Sequence, residues 1–127
     1  MAYLNEKLKQ LEEALKTWEE ILTEPYSEIV RDATIQRFEY CFELLWKTVK
    51  LYLLEKESIE CHSPKSCFRE ARLPLKIDPK VIEDCLQMSI DRNLSVHTYS
   101  KKMADDLYEK VKAHYKSAKT VFDKLNS

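Results

Sequence analysis

Not one of the 127 residues is glycine. The tight hairpin turns that join neighbouring strands need residues at positive φ, and glycine is their usual supplier. Glycine-rich phosphate cradles and dinucleotide-binding fingerprints cannot be written without it. An all-α chain loses only its favoured C-terminal helix caps. The missing residue type therefore selects helices before any pattern is read.

The length suits a single domain spanning residues 1–127, large enough to form a core without disulfides or metal. Hydrophobic residues make up 44% and charged residues 34%, the balance of a globular chain. The net charge is −1, with acids and bases interleaved. That argues against a broad nucleic-acid surface but leaves room for a small phosphate site. The first residues turn amphipathic and acidic at once, unlike a signal peptide, and no stretch is apolar enough to span a membrane. The expectation is a cytoplasmic protein without membrane association. In that setting Cys41, Cys61, Cys67 and Cys85 are expected as free thiols. Cys61-His62 with Cys67 fits no common zinc module, so no metal or cofactor is expected.

Apolar residues at Leu4, Leu8, Leu11, Leu15, Trp18 and Leu22 step by three and four, which describes one helix stripe ended by Pro25. Ser27 is placed to cap a second helix of about 28 residues. Its apolar face, Val30 to Tyr52 widened by Ile35, Phe42, Trp46 and Leu53, is broad enough for a central position and compatible with a dimer contact. Ser63-Pro64 opens a short helix through Ala71. Asp78-Pro79 opens another to about Ile90, with Ile77 and Ile82 stapled across the cap. The last helix shows Met103, Leu107, Val111, Tyr115, Ala118, Phe122 and Leu125 on one stripe, with Thr98 or Ser100 as its cap. Together these predict an all-α, antiparallel up-and-down bundle of four to five helices. Trp18 and Trp46 read as core or interface, and His62 and His114 show no partner pattern.

The stretch Asp91 to Tyr99 departs from this helical pattern. It gathers Arg92, Asn93, Ser95, His97 and Tyr99 within eight residues. A guanidinium fork suits a phosphate, and an imidazole exchanges a proton near neutral pH. A last helix starting near Ser95 would add free backbone N–H groups. Structural ion-pair networks gather the same residue types, so the pattern alone does not assign a role.

Arg92, four residues, His97, one residue and Tyr99 form an R-x4-H-x-Y arrangement that resembles the HEPN-domain proteins, HepT-like toxins in particular. The wording Arg92-Asn93 … His97-Thr98-Tyr99 is closer still to their nucleotidyltransferase substrate-binding branch. Arg31 to Glu39 followed by Phe42 to Lys47 resembles that branch's second helix, and Ser63-Pro64-Lys65 through Arg69-Glu70-Ala71 its middle helix. The resemblance implies a homodimer in which two motif segments face one cleft. It also implies an operon partner, a minimal nucleotidyltransferase of the DNA polymerase β type, in a toxin–antitoxin or two-component system.

Two functions follow from it. In the first, the chain is a metal-independent ribonuclease. His97 acts as general base or acid, Arg92 stabilises charge growing on the phosphate, and Asn93 and Ser95 position the RNA or hold the His97 tautomer. Tyr99 contacts phosphate and is a candidate for adenylylation by the partner, which would add charge and bulk in the cleft. In the second, the same residues hold a substrate, such as a nucleotide, without breaking a bond. The near-zero charge leans toward this second reading. A plain helical scaffold is the third alternative, in which Arg92, His97 and Tyr99 tolerate alanine. Gln36, Arg37, Glu39 and Glu43 read as solvated or interface positions, with Arg37, Glu39 or Glu43 allowed to support the cleft.

Overall fold

Four helices begin at a side-chain cap that the local sequence supplies. The computed structural model describes residues 2–127, and among them α1 runs Ala2–Leu22, α2 Glu28–Glu57, α3 Pro64–Ala71, α4 Pro79–Leu94 and α5 Lys101–Leu125, with a short 3-10 turn at Ser95–His97. Ser27 accepts from the Val30 N–H at 3.0 Å, and Ser63 from Ser66 at 3.2 Å. Asp78 accepts from Lys80 at 2.8 Å, and Ser100 from Met103 at 3.1 Å. Each such bond satisfies a backbone donor that the helix leaves open, worth about 1 kcal/mol. With no glycine available, the left-handed positions after α2 and α3 fall to Ser58 (φ 54°) and Lys76 (φ 53°).

The long helices alternate in direction, as expected of an up-and-down bundle. Thr17 lies against Arg37 and Tyr40, while Leu8 shares a pocket with Tyr52, so α1 and α2 run antiparallel. Ser95 reaches Glu39 and Arg92 reaches Glu43, so α2 and α4 are antiparallel too. Helix α2 is central and packs on α1, α3, α4 and α5. Its broad apolar face is covered within the chain: Phe38, Cys41, Phe42, Leu45, Val49 and Leu53 are all buried. That breadth therefore carries no argument for a dimer. Trp18 lies edge-on to Phe38 at 5.7 Å and to Tyr115 at 5.3 Å, which locks α1, α2 and α5 together. The staple residues Ile77 and Ile82 are both buried.

Three expectations are corrected. Met103 is 40% exposed, because the core stripe of α5 starts one position later, at Ala104. Helix α4 continues past Ile90 to Leu94, since no glycine or proline stops it and Asp91 finds a buried partner. Cys61 and Cys67 are not free thiols but a disulfide: the loop before α3 brings their Cα atoms to 5.2 Å, within bonding range. The same bond removes the Cys61-His62-Cys67 ligand trio. Cys41 and Cys85 are free and buried, and burial pushes both thiols up to about 12. The bridge ties α3 to the chain leaving α2 across a separation of six residues. Reducing it should lower the unfolding free energy by roughly 2 kcal/mol, the amount expected for so short a loop. Urea unfolding followed by circular dichroism, with and without reductant, measures this, and an unmoved midpoint would refute it.

No helix of the described residues is long and apolar enough to cross a membrane.

Candidate functional site

The last turn of α4 faces the middle of α2, and the candidate residues divide there into two groups. The first is ionic. Arg92 Nη1 lies 3.4 Å from Glu39 Oε2 and donates to Ser95 Oγ at 3.3 Å. Its Nε sits 3.8 Å from Glu43 Oε1, too far for a hydrogen bond, and is buried without a partner. The Ser95 hydroxyl has one proton and two acceptors, Glu39 Oε2 at 2.6 Å and the Arg92 carbonyl at 2.7 Å. The ionised carboxylate makes the stronger bond. Trp46 Nε1 donates to Glu43 Oε2 at 3.2 Å, and the Lys47 ammonium stands 3.7 Å from the same oxygen. The charge of Arg92 is thus balanced inside the protein, by residues from a helix some fifty positions away.

The second group is solvent-facing. His97 closes the 3-10 turn, and Thr98 then folds back at φ −89°, ψ 79°, an inverse γ-turn closed by Tyr99 N–H to the His97 carbonyl at 3.1 Å. This turn sets the His97 Nδ1 2.9 Å from the Tyr99 hydroxyl. Tyr99 is 81% exposed, and His97 and Asn93 are exposed as well. Among the described residues no hydrogen bond or ion pair joins His97 to Arg92. The expected free N–H groups at Ser95 do not arise, because α5 starts at Lys101 behind the Ser100 cap. Arg37 does not approach this site: it turns to α1 and donates to the Thr17 carbonyl at 2.6 Å.

Beside both groups runs a polar groove of about 450 Å³, lined by Arg31, Asp32, Gln36 and Glu39 of α2 and by Tyr99 and Lys101. Arg31 is buried, with Nε on Asp32 at 2.9 Å and Nη1 on Asp105 at 3.1 Å. Asp105 also accepts from the Tyr26 hydroxyl at 2.6 Å and lies 3.4 Å from Lys101. Those hydrogen bonds, Tyr26 first and Arg31 second, hold the Asp105 carboxyl below the usual range. The bond to Asp105 holds the Tyr26 phenol above its own. No set of three His, Cys, Asp or Glu side chains among the described residues is arranged to hold a metal ion.

Reading the chain residue by residue does not single out Tyr26, Arg31 or Asp105, nor His114. The last is buried on α5, with Nδ1 2.8 Å from Asp84 and Nε2 2.6 Å from Asp91, the residue just before Arg92. A signal did exist. His114 sits three residues after Val111 and four before Ala118, in register with the buried stripe, and Asp84 and Asp91 share one face of α4 at a spacing of seven.

The fold is an all-α bundle with an open polar groove, and of the candidate residues Glu39 and Tyr99 line it while Arg92, Asn93, Ser95 and His97 stand beside it. The chain belongs to the nucleotidyltransferase substrate binding protein like family, whose model matches residues 1–127. It is similar to a protein of Thermus thermophilus known from its crystal structure: the two are 37% identical, the likeness covers 92% of this chain and 99% of that one, and the TM-score is 0.86. No curated protein matches the chain.

Proposed function

We propose that this chain is the non-catalytic binding half of a two-component nucleotidyltransferase. It holds the nucleotide substrate, while a minimal nucleotidyltransferase subunit performs the transfer. The observation that carries this reading is the state of Arg92. Its charge is already countered by Glu39, with Glu43 close by, and its Nη1 is held by Ser95, so that charge is not left open for a transition state. The groove alongside is of a size suited to a small molecule. It offers amide, hydroxyl and paired ionic groups from Gln36, Tyr99 and Lys101, a set fit to orient a ligand. Titration calorimetry tests the reading. The purified chain should bind a nucleoside triphosphate saturably, alone or with the nucleotidyltransferase encoded beside it. Tyr99→Ala should weaken binding about tenfold, the loss of one well-made contact of about 1.4 kcal/mol. No heat with any of the four triphosphates, in either setting, would overturn it.

One observation favours a second reading, a metal-independent ribonuclease of the HEPN type acting as a homodimer in a toxin–antitoxin pair. His97 and Tyr99 stand open to solvent, where a second copy could bring its own pair to the same RNA. His97 would then act as base or acid, Arg92 and its copy would stabilise the phosphate, Asn93 and Ser95 would position it, and Tyr99 would be the adenylylation site. Incubation with RNA in chelator separates the two readings. Cleavage abolished by His97→Ala would establish the nuclease, and cleavage that survives the substitution would remove it.

A further inference from the structure

We propose that His114 is a positioning residue for the site on α4: its doubly bonded imidazolium anchors Asp91, and through Asp91 sets the turn from which Arg92 and Ser95 reach Glu39. The inference rests on the binding reading above only in calling that turn a site. The anchor itself rests on geometry.

Both ring nitrogens of His114 face carboxylate oxygens, Nδ1 at 2.8 Å from Asp84 Oδ1 and Nε2 at 2.6 Å from Asp91 Oδ2. An ionised carboxylate only accepts, so two bonds need two N–H groups, and the ring that makes both is the cation. Burial by itself favours the neutral ring. The two carboxylates outweigh it and hold the histidine above its ordinary value. Among the described residues no other charged group bonds the ring. Helix α2 presents the Phe38 ring, stacked at 5.8 Å. Helix α4 adds, next to Asp84, the Cys85 thiol, which burial pushes up to about 12 and so keeps neutral near pH 7. Helix α5 adds the Ser117 hydroxyl on the side of Asp84, where it helps hold that carboxyl down.

The two aspartates are not equivalent. The Asp84 side chain is 30% exposed and can be hydrated if its bond is lost. The Asp91 side chain is 1% exposed, and its other oxygen is taken by Gln87 Nε2 at 3.0 Å. An unpaired carboxylate there would face the full desolvation cost. Bonding continues from Asp91 into the site. The Ser95 N–H caps α4 on the carbonyls of Asp91 and Arg92, and the Ser95 hydroxyl reaches Glu39 at 2.6 Å. When the ring loses one proton, a single N–H remains for two acceptors. It stays on Nε2 with Asp91, Asp84 is released to water, and the turn bearing Arg92 keeps its anchor.

Nuclear magnetic resonance of the full chain tests both halves. In His114→Phe, exchange of the Ser95 amide should quicken at least tenfold relative to the buried amides of α5, and Asp91→Asn should do the same. Asp84→Asn should change it less than twofold, and His114→Gln, which keeps one N–H for Asp91, should restore most of the protection. A role limited to general stability predicts equal effects of the two aspartate variants on every amide, and that result would overturn the proposal. If His114→Phe does not fold, a pH titration of the unaltered chain decides through the nitrogen shifts of the ring. Loss of the proton from Nδ1, with Nε2 still protonated, supports the anchor; loss from Nε2 overturns it. Substrate affinity, measured separately, that ignores a loosened Ser95 would count against the binding site and leave the anchor standing.

Discussion

Truncating Phe38 to alanine should lower the unfolding free energy by about 3–5 kcal/mol, the range for removing a fully buried aromatic ring. Phe38 is fully buried at the centre of α2 and meets three rings: Trp18 of α1 at 5.7 Å, Phe42 one turn on at 6.1 Å, and His114 of α5 at 5.8 Å. Those partners come from helices that must stay packed for other reasons, so they cannot collapse into the space. The cost is the lost transfer energy plus the cavity. A chain of this size commonly has only about 5–15 kcal/mol in total, so the variant should unfold at markedly lower urea. The control is Ile29→Ala, at a side chain 83% exposed, which should change stability by no more than about 0.5 kcal/mol. A Phe38→Ala midpoint close to that of the control would show that the core is not organised around this ring.

Asp91→Ala should cost a similar amount, about 3–5 kcal/mol, for an electrostatic reason. It strips the buried imidazolium of its closest partner. The same cluster fixes how stability depends on pH. His114 is held above its ordinary value, so its contribution is complete below the unfolded histidine value and is lost as pH rises through the folded one. For Asp84, burial pushes the carboxyl up, but hydrogen bonds from His114 and Ser117 outweigh it and the net direction is down. Its contribution is complete above the unfolded aspartate value and is lost as pH falls through the folded one. The melting temperature should therefore be highest between the ordinary aspartate and histidine values, about pH 4 to 6.5, and decline on both sides. The alkaline decline should vanish in His114→Gln. Parallel declines in the variant and the unaltered chain, followed by calorimetry, would assign the dependence to other groups.

What could be read in advance, and what could not, divides by range. Ser27, Ser63-Pro64 and Asp78-Pro79 mark helix starts because a cap is made with a donor two or three residues away. The stripes of α1 and α5 were legible for the same reason, and Met103 failed only because a periodic pattern does not say where packing begins. The surroundings of Arg92 could not be read that way. Glu39 lies 56 residues from Ser95, and no spacing rule links them until α2 and α4 are known to be antiparallel. The cystine is invisible to spacing because free thiols follow from a reducing compartment, which no local pattern specifies, while the short loop between Cys61 and Cys67 allows the bond. His114 was a polar residue in an apolar register, and its meaning lay in two aspartates on another helix.

The two tryptophans divide the molecule's optical behaviour between its interior and its edge. Trp18 is enclosed by aromatic rings, so its emission should lie to the blue and respond when the helices separate. Trp46 is half-buried and donates to Glu43, the carboxylate beside Arg92, so its indole is wired to the ion pairs around Arg92. A ligand that draws Arg92 away would change the field at one chromophore and leave the other untouched. On the proposed binding reading, the chain carries its own pair of dyes, one for folding and one for occupancy, with no label to attach.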